Sequence, residues 1–156
     1  MESIREQLQL FVRRFGLLNA SCCDECCGEQ VSMAQSHILF EVRRRPESPM
    51  QRIAEELGLD VTTFSRQVKG LEAKGLVERT VSTEDRRVSL LELTQAGAAI
   101  LGKIDVYMAE RIGRIFGEMS SFEHETVVRS LGLLNDSLAR VEDAEARRKG
   151  VIACCK

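Results

Sequence analysis

Apolar residues along the chain recur mostly at helical spacing and at strand spacing in one short region only. Ile4, Leu8, Phe11, Phe15 and Leu18 step by four and three residues, which predicts an amphipathic helix over 3–18 that ends around Asn19. Residues 20–30 are polar and cysteine-packed, with Gly28 as a turn residue, and offer no helical face to bury; they predict a loop. Ser32 followed by Gln35 has the form of a capping box, and Ile38, Leu39 and Val42 supply the buried face of a helix ending near Arg45 and Pro46. Ser48-Pro49-Met50-Gln51 repeats the start signal, with proline at the first helical position, where its missing N–H breaks no bond. A short helix over 50–57 stops at Gly58, with Ile53, Ala54 and Leu57 facing inward. Asp60 caps the next helix, 61–74, which turns Val61, Phe64, Val68 and Leu71 inward and leaves Thr62, Thr63, Ser65, Arg66 and Lys69 outside.

Two β-prone runs, 76–81 and 88–93, flank the loop 82–87, which has no bulky apolar residue and a charged tip. Thr94 to Gly97 opens a long helix in which Leu101, Ile104, Met108, Ile115 and Met119 keep near-heptad spacing. Ser120 with Glu123 marks another capping box, after which Val127, Leu131, Leu134, Leu138 and Val141 again alternate four and three. Residues 142–149 are charged and read as a fraying helix end before Gly150.

The fold class expected is mainly α with a small β-wing. It comprises a winged helix-turn-helix over 32–97, an N-terminal dimerisation helix and Cys-rich loop over 1–31, and C-terminal dimerisation helices with a Cys-containing tail over 98–156. The stripes at the two ends exceed what one small winged helix covers, so an intermolecular helical interface, most economically a two-fold homodimer, is expected.

Composition narrows this picture. A chain of 156 residues suits one domain with a helical extension, and 4% aromatic residues with two prolines favour helices over a β-sandwich. The formal charge is −2, but residues 43–87 carry ten Lys/Arg against eight Asp/Glu, a local +2 that leaves −4 to the rest. That asymmetry has the sign of a DNA-binding centre in an acidic frame. No apolar run reaches the ~18 to 20 residues of a membrane span, and Glu2 and Glu6 interrupt the N-terminus, so a cytoplasmic protein with no membrane partner is expected.

A brace helix, a turn, a second helix and a charged wing are the parts that read double-stranded DNA: one helix enters the major groove and the wing grips the adjacent backbone. The wing sequence Glu84-Asp85-Arg86-Arg87-Val88, with Leu93-Thr94 and Gly97 after it, resembles the MarR family of regulators, whose wing carries Asp-x-Arg before a strand ending in Leu-Thr-x-x-Gly. The resemblance spans nearly the whole chain and includes the order of helices. It implies that Asp85 braces the wing, that Arg87 reaches toward the minor groove, and that Thr62, Thr63, Ser65 and Arg66 face the major groove, with Lys69 placed for a phosphate and Arg86 as an additional wing cation. The residues themselves point to the same set, because these are the polar positions left once the apolar face is assigned, and arginine pairs bidentately with guanine edges. The alternative for Arg66 and Arg87 is a solvated or salt-bridged side chain. Arg43-Arg44-Arg45 reads as a solvated helix end at the negative pole of the dipole, with phosphate contact as the alternative. Met33, Met50, Met108 and Met119 read as packing residues. No catalytic constellation stands out, so no enzyme is expected.

The six cysteines depart from the family pattern. Cys22, Cys23, Cys26 and Cys27 place four thiols within six residues, and Cys154 and Cys155 form a second pair. In a reducing compartment such thiols serve metal or redox chemistry more readily than structural disulfides. Trivalent arsenic or antimony favours three thiolates in a pyramid, Zn²⁺ four in a tetrahedron, and Hg²⁺ or Cu⁺ two or three. Cys23 and Cys26 are also spaced for a disulfide switch. A structural metal, or no role, stays open, as does ligation by His37 or His124, each of which lies near a predicted helix start. Because the family's terminal helices meet in its dimerisation region, the resemblance implies that the two cysteine groups approach one another. The expected function is a repressor released when a soft metal or metalloid binds these thiolates, or alternatively when they oxidise. A thiol enzyme or metal carrier lacks the expected βαβ surroundings, and a helical module binding protein rather than DNA is the remaining alternative.

Overall fold

A computed structural model describes residues 3–16, 31–83 and 85–153, with side chains to Glu145. The loop expected over 20–30 and all six cysteines lie outside the described residues. The chain divides into two compact units, Met1–Ala109 and Glu110–Lys156.

In the first unit, helix α1 (Ile4–Arg14) is opened by a capping box: Ser3 Oγ accepts from Glu6 N–H, and Glu6 accepts from Ser3 N–H. It ends short of residue 18, because Gly16 takes φ 77° and its N–H turns back to the Arg13 carbonyl. The four-and-three spacing of Phe15 and Leu18 carried no record of that turn. Helix α2 (Met33–Arg44) has the expected Ser32–Gln35 box and buries Ile38, Leu39 and Val42.

Helix α3 (Met50–Glu56) and helix α4 (Val61–Ala73) form the helix-turn-helix. Gly58 holds φ 61°, which directs its N–H to Glu55 O (3.1 Å) and Leu59 N–H to Ala54 O (2.9 Å); the left-handed residue satisfies two carbonyls that α3 leaves open. Asp60 then accepts the Thr63 N–H at 3.0 Å and starts α4.

Strands β1 (Val77–Val81) and β2 (Ser89–Leu93) pair antiparallel, with Val77 opposite Leu93 and Val81 opposite Ser89. Val77 and Leu91 point into the core, which also takes Val31, Ile53, Ala54, Phe64, Val68, Leu71, Leu76, Ile100 and Leu101. Helix α5 (Gln95–Gly117) runs unbroken through Gly97, so Ile100 and Leu101 pack with the winged helix. Its start is clamped on the turn after α4: Thr94 N–H donates to Leu76 O, Thr94 Oγ1 donates to Gly75 O (2.6 Å), and Gly97 N–H returns to Thr94 Oγ1 (3.0 Å). A Cβ on Gly97 would stand 1.9 Å from Leu76 O, so only glycine allows this approach.

The structure differs from three local expectations. Pro49 is not the first helical residue of α3, and no side chain caps that helix; Pro49 is extended and bridges to Leu90 of β2, a pairing that keeps it out of the helix. Val61 is 70% exposed rather than inward, because it sits in the first turn of α4 at the edge of the Phe64–Val68–Leu71 stripe. Arg43, Arg44 and Arg45 are not merely solvated: Arg43 forks onto Asp105, and Arg44 and Arg45 share Glu56 at 3.2 and 2.8 Å with Glu41 beside them.

In the second unit, Ser120 and Glu123 form the expected capping box ahead of helix α6 (Ser121–Ala153). The helix does not end before Gly150 but continues to Ala153, since one glycine lowers helix propensity without stopping a helix. The His124 ring lies 4.5 Å from that of Phe116. None of this unit's described side chains is buried, and Phe122, Val128, Leu131, Leu134, Leu138 and Val141 are exposed.

Gly97→Ala is expected to destabilise the protein by about 3 kcal/mol, the upper range of overpacking, because backbone rather than a yielding side chain blocks the methyl; the urea midpoint measures it. The Asp60 pKa lies below its ordinary value of 3.8, chiefly through hydrogen bonds from Thr63. A depressed carboxylate contributes stability that is complete above its unfolded pKa and lost as pH falls through the folded one. Asp60→Asn, which still caps, should match the parent at pH 7 and lose less stability in acid, a comparison made by unfolding at pH 7 and pH 3.

Candidate nucleic-acid interface

Helix α4 is amphipathic with its buried side settled: Phe64, Val68 and Leu71 are each 2% exposed or less. Thr62, Arg66 and Lys69 follow on the opposite side and are exposed, with Ser65 half-buried beside them. These four and Val61 line a shallow depression of about 420 Å³. Thr63 sits at the margin, half-buried, its N–H committed to Asp60. The face thus combines hydroxyls, a methyl surface from Val61 and two cations. Sequence reasoning missed Val61, whose apolar character assigned it to the core.

The wing is held by one carboxylate. Asp85 Oδ1 accepts the Arg87 N–H at 3.0 Å, and its two oxygens each take one guanidinium nitrogen of Arg87 at 3.1 Å. Val88 N–H closes the turn on Asp85 O, and Ser82 N–H reaches Val88 O. The hydrogen bonds from Arg87 hold the Asp85 pKa below the ordinary aspartate value, because they favour the charged form of the carboxylate. Arg87 remains 89% exposed despite the fork, so its charge is presented rather than buried. Arg86 is exposed next to it. Glu84 lies outside the described residues.

Helix α4 and the wing converge. A groove of about 320 Å³ runs between α3, α4 and β2, with Ala54, Val61, Phe64 and Ser65 on one side and Arg87, Val88 and Ser89 on the other. Ser65 and Arg87 therefore line one groove.

Charge pairing differs among the cations of the winged helix. Arg43, Arg44, Arg45 and Arg79 are tied to Asp105, Glu41, Glu56 and Glu72. Among the described residues Arg52, Arg66, Lys69 and Arg86 form no ion pair. Arg52, exposed on α3, is a cation that the sequence reading passed over. Its signal was the absence of a committed acidic neighbour, which appears only once Glu55 is seen bonded to Gln51 and Glu56 to Arg44 and Arg45.

The family model described as MarR family matches residues 31–89, the span from the start of α2 into β2. The uncharacterized HTH-type transcriptional regulator YxaD of Bacillus subtilis is 30% identical over 125 residues, covering 80% of this chain and 85% of that protein. The chain belongs to the MarR family. This MarR-type chain has the fold of Streptococcus pneumoniae FabT in its complex with DNA, at a TM-score of 0.79 and 23% identity over 88% of this chain and 96% of FabT. It has equally the fold of MarR, at a TM-score of 0.75 and 21% identity over 90% and 93% of the two chains. MarR family members are DNA-binding transcription regulators. The Leu93-Thr94-x-x-Gly97 motif that carried the resemblance is the clamp on Gly75 and Leu76, and its Asp85-x-Arg87 motif is the fork in the wing. Among the described residues no group of three His, Cys, Asp or Glu is placed to hold a metal, and no helix is long and apolar enough to cross a membrane.

If the fork orients Arg87, Asp85→Ala and Arg87→Ala should weaken DNA binding to similar extents, and the double variant should be little worse than either single one. Fluorescence anisotropy on a labelled duplex reads this non-additivity.

Proposed function

We propose that this MarR-type regulator is a homodimeric repressor that reads a pseudo-palindromic operator with one α4 in each major-groove half-site. The observation that carries the reading is the exposed face of α4, where Thr62, Ser65, Arg66 and Lys69 stand opposite the buried Phe64, Val68 and Leu71, with Arg87 sharing the groove beside Ser65. Arg66 is the direct reader of base edges in this reading, Lys69 and Arg86 hold phosphates, and Arg87 enters the minor groove from the wing. The complex of FabT with DNA supports the reading by fold alone. The exposed leucines of α6 and the apolar stripe of α1 supply the dimer contact, because apolar surface of that extent is stable only when covered.

The effector reading rests on Cys22, Cys23, Cys26 and Cys27, with Cys154 and Cys155 as further ligands. Thiolates converging on one soft ion compact the segment between α1 and α2, and the operator is released if the two arrangements differ in affinity for that ion. Trivalent arsenic or antimony fits a three-thiolate site; Zn²⁺, Hg²⁺ and Cu⁺ are the other candidates. The Cys23–Cys26 spacing supports a second version, in which oxidation replaces the ion.

Selection from a pool of random duplexes should enrich a two-fold site about one or two DNA turns long, bound less tightly as salt rises. Failure to enrich any sequence overturns the operator reading. Arg66→Ala is expected to lose ~1 to 3 kcal/mol of affinity for that site and to relax its preference at one position in each half.

Arsenite or antimonite added to reduced protein should release the enriched duplex, and Cys23→Ser with Cys26→Ser should abolish release while leaving DNA binding intact. Release by peroxide alone, reversed by dithiothreitol, marks the redox version. Unchanged responses in a variant with all four clustered cysteines replaced by serine exclude both.

A further inference from the structure

A polar cluster lies behind the recognition helix, on the side away from its exposed face. Gln35, 7% exposed in the first turn of α2, uses both ends of its amide. Its Oε1 accepts from Ser32 N–H (3.2 Å) and from Lys74 Nζ (3.1 Å), and its Nε2 donates to the Gln67 carbonyl of α4 (3.4 Å). Ser32 Oγ reaches Gln67 Oε1 at 3.4 Å and accepts from Gln35 N–H at 3.2 Å. Gly70 makes room for the amide: a Cβ there would stand 2.7 Å from Gln35 Nε2. One side chain thus serves as the N3 half of the α2 capping box and as a joint to α4 through Gln67, Gly70 and Lys74.

A helix N-cap needs only a local partner, so the capping role does not account for the contacts with α4. Nor do the contacts serve burial, since an apolar side chain would fill the position without an amide oxygen and nitrogen to satisfy. Their physical effect is directional. Phe64, Val68 and Leu71 hold α4 against the core by non-directional packing, which tolerates small rotations and slides of the helix. Hydrogen bonds weaken steeply with angle, so a bond into the α4 backbone at Gln67, beside a glycine contact at Gly70 and a charged donor at Lys74, resists both movements. Arg66 is adjacent to Gln67 and Lys69 to Gly70 in the chain, so the joint acts within one residue of both cations on the opposite face.

We propose that Gln35 is a positioning residue for DNA reading: it sets the rotation and depth of α4, and through them the register of Arg66 against base edges, without itself touching DNA. The inference rests on the reading of α4 as the recognition helix. Base contacts need side chains placed to within about 0.5 Å, whereas phosphate attraction does not, so the joint governs discrimination rather than overall affinity.

The test uses the full chain with two 30-base-pair duplexes, the one enriched by the parent from the random pool and one of unrelated sequence. Gln35→Leu removes the hydrogen bonds at similar volume; Gly70→Ala keeps every polar group and pushes the amide away. Both are expected to lower the ratio of enriched to unrelated affinity about tenfold, the scale of one impaired base contact, with affinity for the unrelated duplex and its salt dependence unchanged. If Gln35→Leu fails to fold by circular dichroism, Gly70→Ala carries the test. A ratio equal to the parent's in the folded variants, or affinities for both duplexes that fall together, overturns the proposal. A parent that enriches no duplex defeats the recognition-helix reading instead.

Discussion

The winged helix closes where Leu76 meets Thr94 and Gly97. The Leu76 carbonyl accepts the Thr94 N–H and faces the bare Cα of Gly97, while Thr94 Oγ1 bonds the neighbouring Gly75 carbonyl. β1 begins one residue after Leu76 and β2 ends one residue before Thr94, so this joint closes the root of the wing. It also starts α5, whose Ile100 and Leu101 enter the core. Without close contact at Gly97, α5 would stand off from the α4–β1 turn, and the wing would lose its anchor and part of its apolar floor. The tip, distant from this joint, relies on a separate local device, the Asp85–Arg87 fork.

Electrostatics follows the same division between root and tip. A net charge of −2 suggests little affinity for a polyanion. Pairing changes that picture, because Arg43, Arg44, Arg45 and Arg79 are spent on Asp105, Glu41, Glu56 and Glu72. Among the described residues, the cations of α3, the outer face of α4 and Arg86 of the wing have no such acid. In the proposed reading DNA meets these unpaired cations, because a phosphate backbone responds to local potential rather than to the sum over the chain.

Much of the architecture was legible in the sequence because its determinants are local. The Ser32–Gln35 and Ser120–Glu123 boxes, the Asp60 cap and the Gly58 turn depend on residues within a few positions of one another, and the two wing strands on β-prone runs either side of a charged loop. The polar face of α4 was legible by subtraction from its apolar stripe. The family motif in the wing was visible too, although its spelling gave no reason for the glycine; that reason is a carbonyl 21 positions upstream.

The sequence by itself determined where the side-chain-capped helices begin, where the turn of the helix-turn-helix falls and which residue types crowd the outer face of α4, since each follows from hydrogen bonds and burial along one stretch of backbone. Tertiary structure alone decided that Pro49 pairs with Leu90, that Val61 faces solvent, that Arg43 belongs to Asp105 and that Gln35 grips α4 as well as capping α2. In these pairings the partners lie far apart in sequence, 62 positions for Arg43 and Asp105 and 32 for Gln35 and Gln67. No periodicity along the chain encodes such meetings; they arise only when the core has brought the elements together and each buried or charged group must find what is within reach.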